Sequence, residues 1–159
     1  MVISILQITT FIVYVIFIMI MFKGPLPSIS DSWYRLKDKG GVWYSLFTWF
    51  CYILGISMFF QTDFTSPFFF VSGAGLTFVG VATMFKSDDY WTPKIHFGGA
   101  ILGIIGALMG LGIERVMWVP TIIWATGSLT MIPLKVKNLT WWIEVLAFVC
   151  IGVGLLMTS

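Results

Sequence analysis

The stretch from Ile95 to Ile113, IHFGGAILGIIGALMGLGI, runs without a single Lys, Arg, Asp or Glu. A run of that length and apolarity is a transmembrane-helix candidate. Its glycines add a second constraint. Gly99, Gly103, Gly106 and Gly110 follow steps of four, three and four, so they fall on one face of a helix, flanked by Ala100 and Ala107. A glycine face admits another backbone at close range, and small residues are the main route to tight helix association in lipid. His96, the only histidine, lies on the same face at the start of the run. This helix is predicted to form the centre of a membrane bundle.

The remaining sequence repeats the apolar pattern. Of the 159 residues, 58% are hydrophobic and only 10% charged, against about 25% charged in soluble domains. Spans are expected at about 2–22, 42–60, 66–85, 95–113, 117–134 and 139–157. The fold class is then all-α, a single polytopic domain built as a six-transmembrane-helix bundle. The run 2–22 lacks a basic n-region and a small-x-small cleavage site, so it reads as a retained span. Gln7, Thr10 and Tyr14 share one face of it and are expected to turn inward.

The connection 26–41 carries its own helical signal. Ser28 followed by Asp31 suggests a capped start. Ile29, Trp33 and Leu36 then lie opposite Asp31, Arg35 and Asp38. The pattern predicts a short cytoplasmic helix lying on the membrane interface and ended by Gly40-Gly41. An ordinary loop anchored by its tryptophan is the alternative. Ser66-Pro67 reads as a helix start, and Pro133 as a break near the end of the fifth span.

Charge placement sets the expected orientation. Lys23, Arg35, Lys37, Lys39, Lys86, Lys94, Lys135 and Lys137 fall in odd-numbered connections, and only Arg115 falls in an even one. The positive-inside rule puts the odd connections in the cytoplasm and both termini on the non-cytoplasmic side of a cell membrane. Asn138-Leu-Thr140 matches a glycosylation sequon at the cytoplasmic edge and is read as accidental. Net charge is +2 and scattered, which points away from nucleic acid.

Chemistry within a membrane is sought first among its ionisable groups, because one at mid-bilayer costs roughly 2.5–3.5 kcal/mol on insertion scales. Glu144 stands about 7.5 Å into the sixth helix, and His96 opens the fourth from the same side. The two are the only weak catalytic candidates, and they could meet near the cytoplasmic surface. Ser45 and Thr48 extend the predicted polar cluster, while Gly99, Gly103, Gly106 and Gly110 are the helix-packing residues. The simpler reading is that each polar group finds interfacial water or a neighbouring helix end. Two ligands are too few for a metal centre, and no cofactor is expected. Cys51 and Cys150 read as buried reduced thiols, or alternatively as a contacting pair. Asp88 and Asp89 read as solvated loop acids, and Glu114 with Arg115 as a water-facing turn. Ser28, Ser30 and Ser32 have no nucleophile-elbow context. Most of the eight tryptophans, though not Trp49 or Trp124, suit interfacial anchoring.

The order of features, with Ser-Ile-Ser-Asp-Ser after the first helix and Lys-Ile-His-Phe-Gly-Gly-Ala opening the fourth, resembles small uncharacterised integral membrane proteins of bacteria and their phages. That resemblance implies six transmembrane helices and little about activity. Intramembrane hydrolases related to ceramidases and adiponectin receptors hold zinc with several histidines, and this chain has only His96. The leading expectation is therefore a non-enzymatic protein acting through helix packing, or through binding of membrane lipids, a second copy or another membrane protein. A small transporter or channel with a Glu/His path and a lipid-directed hydrolase are the alternatives.

Overall fold

The structure, a computed structural model, describes residues 1–62, 67–82 and 91–159, with all their side chains except those of Tyr44 and residues 91–93. The described chain is helical and contains no strand. Its helices are α1 (Val2–Met21), α2 (Asp31–Lys39), α3 (Trp43–Phe59), α4 (Phe68–Ala82), α5 (Trp91–Met109), α6 (Val119–Met131) and α7 (Leu139–Met157); a π-helical turn, Gly110–Glu114, continues α5.

Three of these helices are long and apolar enough to cross a membrane: Val2–Met21, Lys94–Glu114 and Leu139–Met157. Length separates them from the six expected spans. At 1.5 Å per residue, the 13 residues of α6 reach only about 20 Å, short of a hydrocarbon core of about 30 Å. Pro120 sits in the first turn of α6, and the helix stops at Met131, just before Pro133. Apolar α3, with 17 residues, and the 15 described residues of α4 are also shorter than a full span. The expected Ser66 cap and the Asp88-Asp89 pair lie outside the described residues.

The densest part of the fold is the contact of α4 with α3 on one side and α5 on the other. There the backbones approach so closely that a Cβ added to Gly75 of α4 would stand 2.5 Å from the Gly103 nitrogen and 2.6 Å from the Gly99 oxygen. Farther along the same face, a Cβ on Gly106 would lie 3.0 Å from the Ser72 nitrogen, and one on Gly110 2.9 Å from the Phe69 ring. The Ser72 hydroxyl donates to the Gly103 carbonyl at 2.6 Å, and the Thr48 hydroxyl of α3 to the Gly80 carbonyl of α4 at 3.3 Å. On the other flank, α1 packs on α3 and α7, and α6 packs on α7. Ser4, Gln7, Phe11, Tyr14, Val15 and Ile18 form the buried face of α1, the helical spacing that faces a partner.

The two ends of the bundle are tied differently. At one, Ser4 and Ser159 share a hydrogen bond at 2.6 Å and the Gln61 amide donates to Ser4 at 3.1 Å, so the first and last helices begin and finish together. Glu114 and Arg115, expected in water, are engaged there instead. The Glu114 carboxylate accepts the Phe68 N–H at 2.8 Å, and Arg115 donates to the Gln61 carbonyl at 3.2 Å. The π turn delivers them: its wider coil is closed by Arg115 N–H bonding the Gly110 carbonyl at 3.2 Å. Glu114 thus satisfies an N–H of the first turn of α4, which has no acceptor within its own helix. Glu114→Ala should cost about 1 kcal/mol, as for loss of a helix cap, with Glu114→Gln retaining most of the stability. Thermal unfolding in micelles reads both.

At the opposite end lies α2. Its Trp33 and Leu36, with Ile29 just before it, are buried in the protein, and the helix packs on α3. The amphipathic face predicted for the membrane interface therefore faces protein. Apolar side chains at i, i+4 and i+7 cannot distinguish those surfaces, and here the Tyr14 hydroxyl meets Ser32 at 2.6 Å and draws the helix onto the bundle. Gly40 and Gly41, at φ 68° and 59°, end it. Trp141, fully buried, and Trp33 are core residues rather than interfacial anchors. Cys51 and Cys150 are buried free thiols.

Candidate functional site

The connection between α1 and α2 is held against the start of α7 by three contacts in regular register. The Asn138 amide donates to the Pro25 carbonyl at 2.8 Å, the Trp141 N–H to the Pro27 carbonyl at 3.2 Å, and Glu144 Oε2 accepts the Ile29 N–H at 2.6 Å. Every third residue from Asn138, just ahead of α7, into the helix meets every second residue of the connection. The prolines explain the match: Pro25 and Pro27 have no N–H, so only their carbonyls need partners, and each favours extended backbone in the residue before it. The side chain of Asn138, in the sequon, is thereby committed within the protein.

This docking brings the serines of the connection beside α5. Ser28, Ser30, Thr140, Glu144 and His96 line the polar end of a cavity of about 320 Å3, whose body is formed by Phe97, Ala100, Ile101, Ile104, Ile105 and Trp124. The Trp124 indole N–H donates to the Ile143 carbonyl at 3.3 Å, which fixes this ring away from the role of an interfacial anchor. A smaller chamber of about 40 Å3 adjoins the cavity, sharing Ser30, His96, Ala100, Ile104 and Glu144, and reaches inward to Cys51, Leu54 and Leu76. That volume admits water.

Within the site, Ser28 and Ser30 hydroxyls lie 2.9 Å apart, and Ser28 Oγ also accepts the Asp31 N–H at 3.1 Å. The hydroxyl of Ser28 thus serves the start of α2, although the helix proper follows Ser30. His96 makes a backbone hydrogen bond to Val79 and lies 6.1 Å from the Phe47 ring, centroid to centroid. Glu144 Oε1 has no partner among the described residues.

His96 and Glu144 therefore share the walls of both cavities, yet no ion pair joins them. Each is held by backbone of a different segment, which keeps the two groups facing the space between them. Ser45 and Thr48 do not join that cluster. Ser45 bonds back to the Val42 carbonyl at 3.2 Å, as hydroxyls on helices commonly do, and Thr48 crosses to the Gly80 carbonyl of α4. Gly99, Gly103, Gly106 and Gly110 face α4, with His96 just ahead of them and the cavity on the neighbouring side of α5. No sequence motif marks Ser28, Ser30, Thr140 and Trp124 as members of the site. The signal that places the serines there is the docking of 25–29 on α7, which has no local sequence pattern. No group of three or more potential metal-ligating side chains occurs among the described residues.

No protein-family model matches the chain, and no curated protein or solved structure matches it.

Proposed function

We infer that this chain is a polytopic, non-enzymatic membrane protein that holds a membrane amphiphile in the cavity between α5, α6 and α7. The observation that carries the reading is the polarity of that one cavity. Hydroxyl, carboxylate and imidazole groups gather at one end and isoleucine, phenylalanine and tryptophan line the rest. Its volume lies at the lower end of the roughly 300–1,000 Å3 of small-molecule sites. It suits a headgroup and the first part of a chain rather than a whole two-chain lipid. Ser28 and Ser30 are engaged with each other, and Ser28 and the imidazole each with backbone, an arrangement that supports binding more than nucleophilic attack.

The membrane frame of the proposal has six crossings, with the Ser4/Ser159 end on the non-cytoplasmic side. The alternation of basic residues between connections supports it, as does the meeting of both termini at one end. The shorter helices α3 and α6 cross where the bilayer thins around the protein. The glycine face of α5 serves as the device that holds the α4–α5 pair rigid beside the site.

Filling the cavity tests the reading. Ile101 lines it and is partly exposed, so Ile101→Trp narrows the site with little demand on the core. The variant should bind a fluorescent single-chain amphiphile at least about tenfold more weakly, ~1.4 kcal/mol, with unchanged thermal unfolding. Binding undiminished in I101W would refute the assignment.

A further inference from the structure

The geometry points to an amphiphile with a protonated amine headgroup as the occupant of this cavity, its ammonium received by Glu144. This rests on the amphiphile-binding reading and goes on to the chemistry of the head.

Three observations converge. Glu144 Oε2 is fixed by the Ile29 N–H at 2.6 Å, so the carboxylate is oriented without a cation, and Oε1 remains unbonded among the described residues. Among the described residues that line the cavity, no lysine or arginine is present to neutralise it, and His96, which shares the polar end, makes no ion pair with it. This carboxylate is partly buried and lacks a counter-ion, and a charge drawn out of water without its partner is destabilising. A ligand cation supplies the missing partner. Hydroxyl oxygens complete the receptor: an ammonium has three N–H donors and no acceptor, and Ser30 and Thr140 offer oxygens at the same end as Glu144.

The apolar side fits the rest of such a molecule. Phe97, Ile101 and Ile105 recur every four residues along α5 and are 68%, 46% and 41% exposed. They form a track of about 12 Å, starting at the polar end and running toward the other end of the bundle, where an alkyl chain lies against the protein. An anionic head, whether carboxylate or phosphate, would meet Glu144 with like charge. An alcohol would satisfy hydrogen bonds but leave the charge unpaired.

The test uses the full chain in non-ionic micelles and native mass spectrometry with dodecylamine, dodecanol and dodecanoate, which share one chain length. Dodecylamine should bind at least about tenfold more tightly than either of the others, a difference of ~1.4 kcal/mol. E144Q keeps an acceptor for the Ile29 N–H and should erase that preference while retaining dodecanol binding. Equal binding of all three probes, abolished by I101W, overturns the amine assignment and leaves the amphiphile site standing. Binding of none overturns the reading of the site itself. A dodecylamine preference that survives in E144Q overturns the role of Glu144. Should E144Q fail to fold, T140K provides the second variant: a tethered ammonium beside Glu144 should exclude dodecylamine, and undiminished amine binding would overturn the proposal.

Discussion

Gly75→Val is expected to yield no stably folded protein, assessed as loss of the monodisperse species in detergent and of cooperative thermal unfolding. The first atom of the new side chain would fall 2.5 Å from the Gly103 nitrogen and 2.6 Å from the Gly99 oxygen. Both obstacles are backbone, so no rotamer change relieves the clash and the helices must separate. Overpacking in a core typically costs about 1–3 kcal/mol when side chains can adjust; with rigid backbone on both sides the cost lies at or beyond the upper end. Separation also disturbs the Ser72–Gly103 hydrogen bond in the same interface. Gly98 is the control. It is helical and adjacent to Gly99, yet a Cβ there meets nothing within 4 Å. Gly98→Ala should leave the transition unchanged or raise it slightly, as expected when an open helical glycine gains a methyl group.

Trp141→Ala is the second large effect, with an expected loss of about 3–5 kcal/mol, the range for truncating a buried large aromatic side chain. Trp141 has no exposed surface, and it lies in the first turn of α7, where the 25–29 connection docks. Its backbone N–H holds Pro27 and would do so in the variant, but the void beneath would loosen the register that sets Glu144 against Ile29. Faster limited proteolysis within 25–30, together with a lower unfolding temperature, checks both parts. Trp141→Phe separates volume from polarity. The indole N–H is buried without a partner among the described residues, and removing an unsatisfied donor recovers part of the desolvation penalty of about 1–3 kcal/mol. The phenylalanine variant should therefore lose far less than the alanine variant.

These residues also show how much of the architecture could be read in advance. The helical, apolar character of α1, α5 and α7 is visible in the uncharged runs themselves. The short α2 is visible in the Ser28–Asp31 spacing and in Gly40-Gly41. What covers α2 is not: Ile29, Trp33 and Leu36 give the same periodicity whether they face lipid or the Tyr14 and α3 side of a bundle. Trp141 and Trp33 illustrate the same limit, because a tryptophan near a helix end suits an anchor and a core equally well. At α6 the apolar run 117–134 overstates the span, because the helix ends at Met131, ahead of Pro133. The role of Glu114 is not legible locally, because its partner, Phe68, belongs to another helix.

The candidate site divides along the same line. His96 and Glu144 could be singled out because ionisable groups in apolar segments are costly and few. Their placement around one cavity, without direct pairing, depends on how α5 and α7 lie together. Ser30 enters the site through the docked connection, and Thr140 through the start of α7 that receives it.

The sequence by itself determined that the chain is helical and suited to a membrane, because charge density and hydrophobic periodicity are local properties carried by each segment alone. The tertiary structure decided the rest: which backbone lies against the glycines of α5, which tryptophans are core, and what Glu144 binds. That last contact joins residues 115 positions apart. Its energy depends on the register between a proline-bearing connection and a distant helix, and no periodicity within either segment records that register.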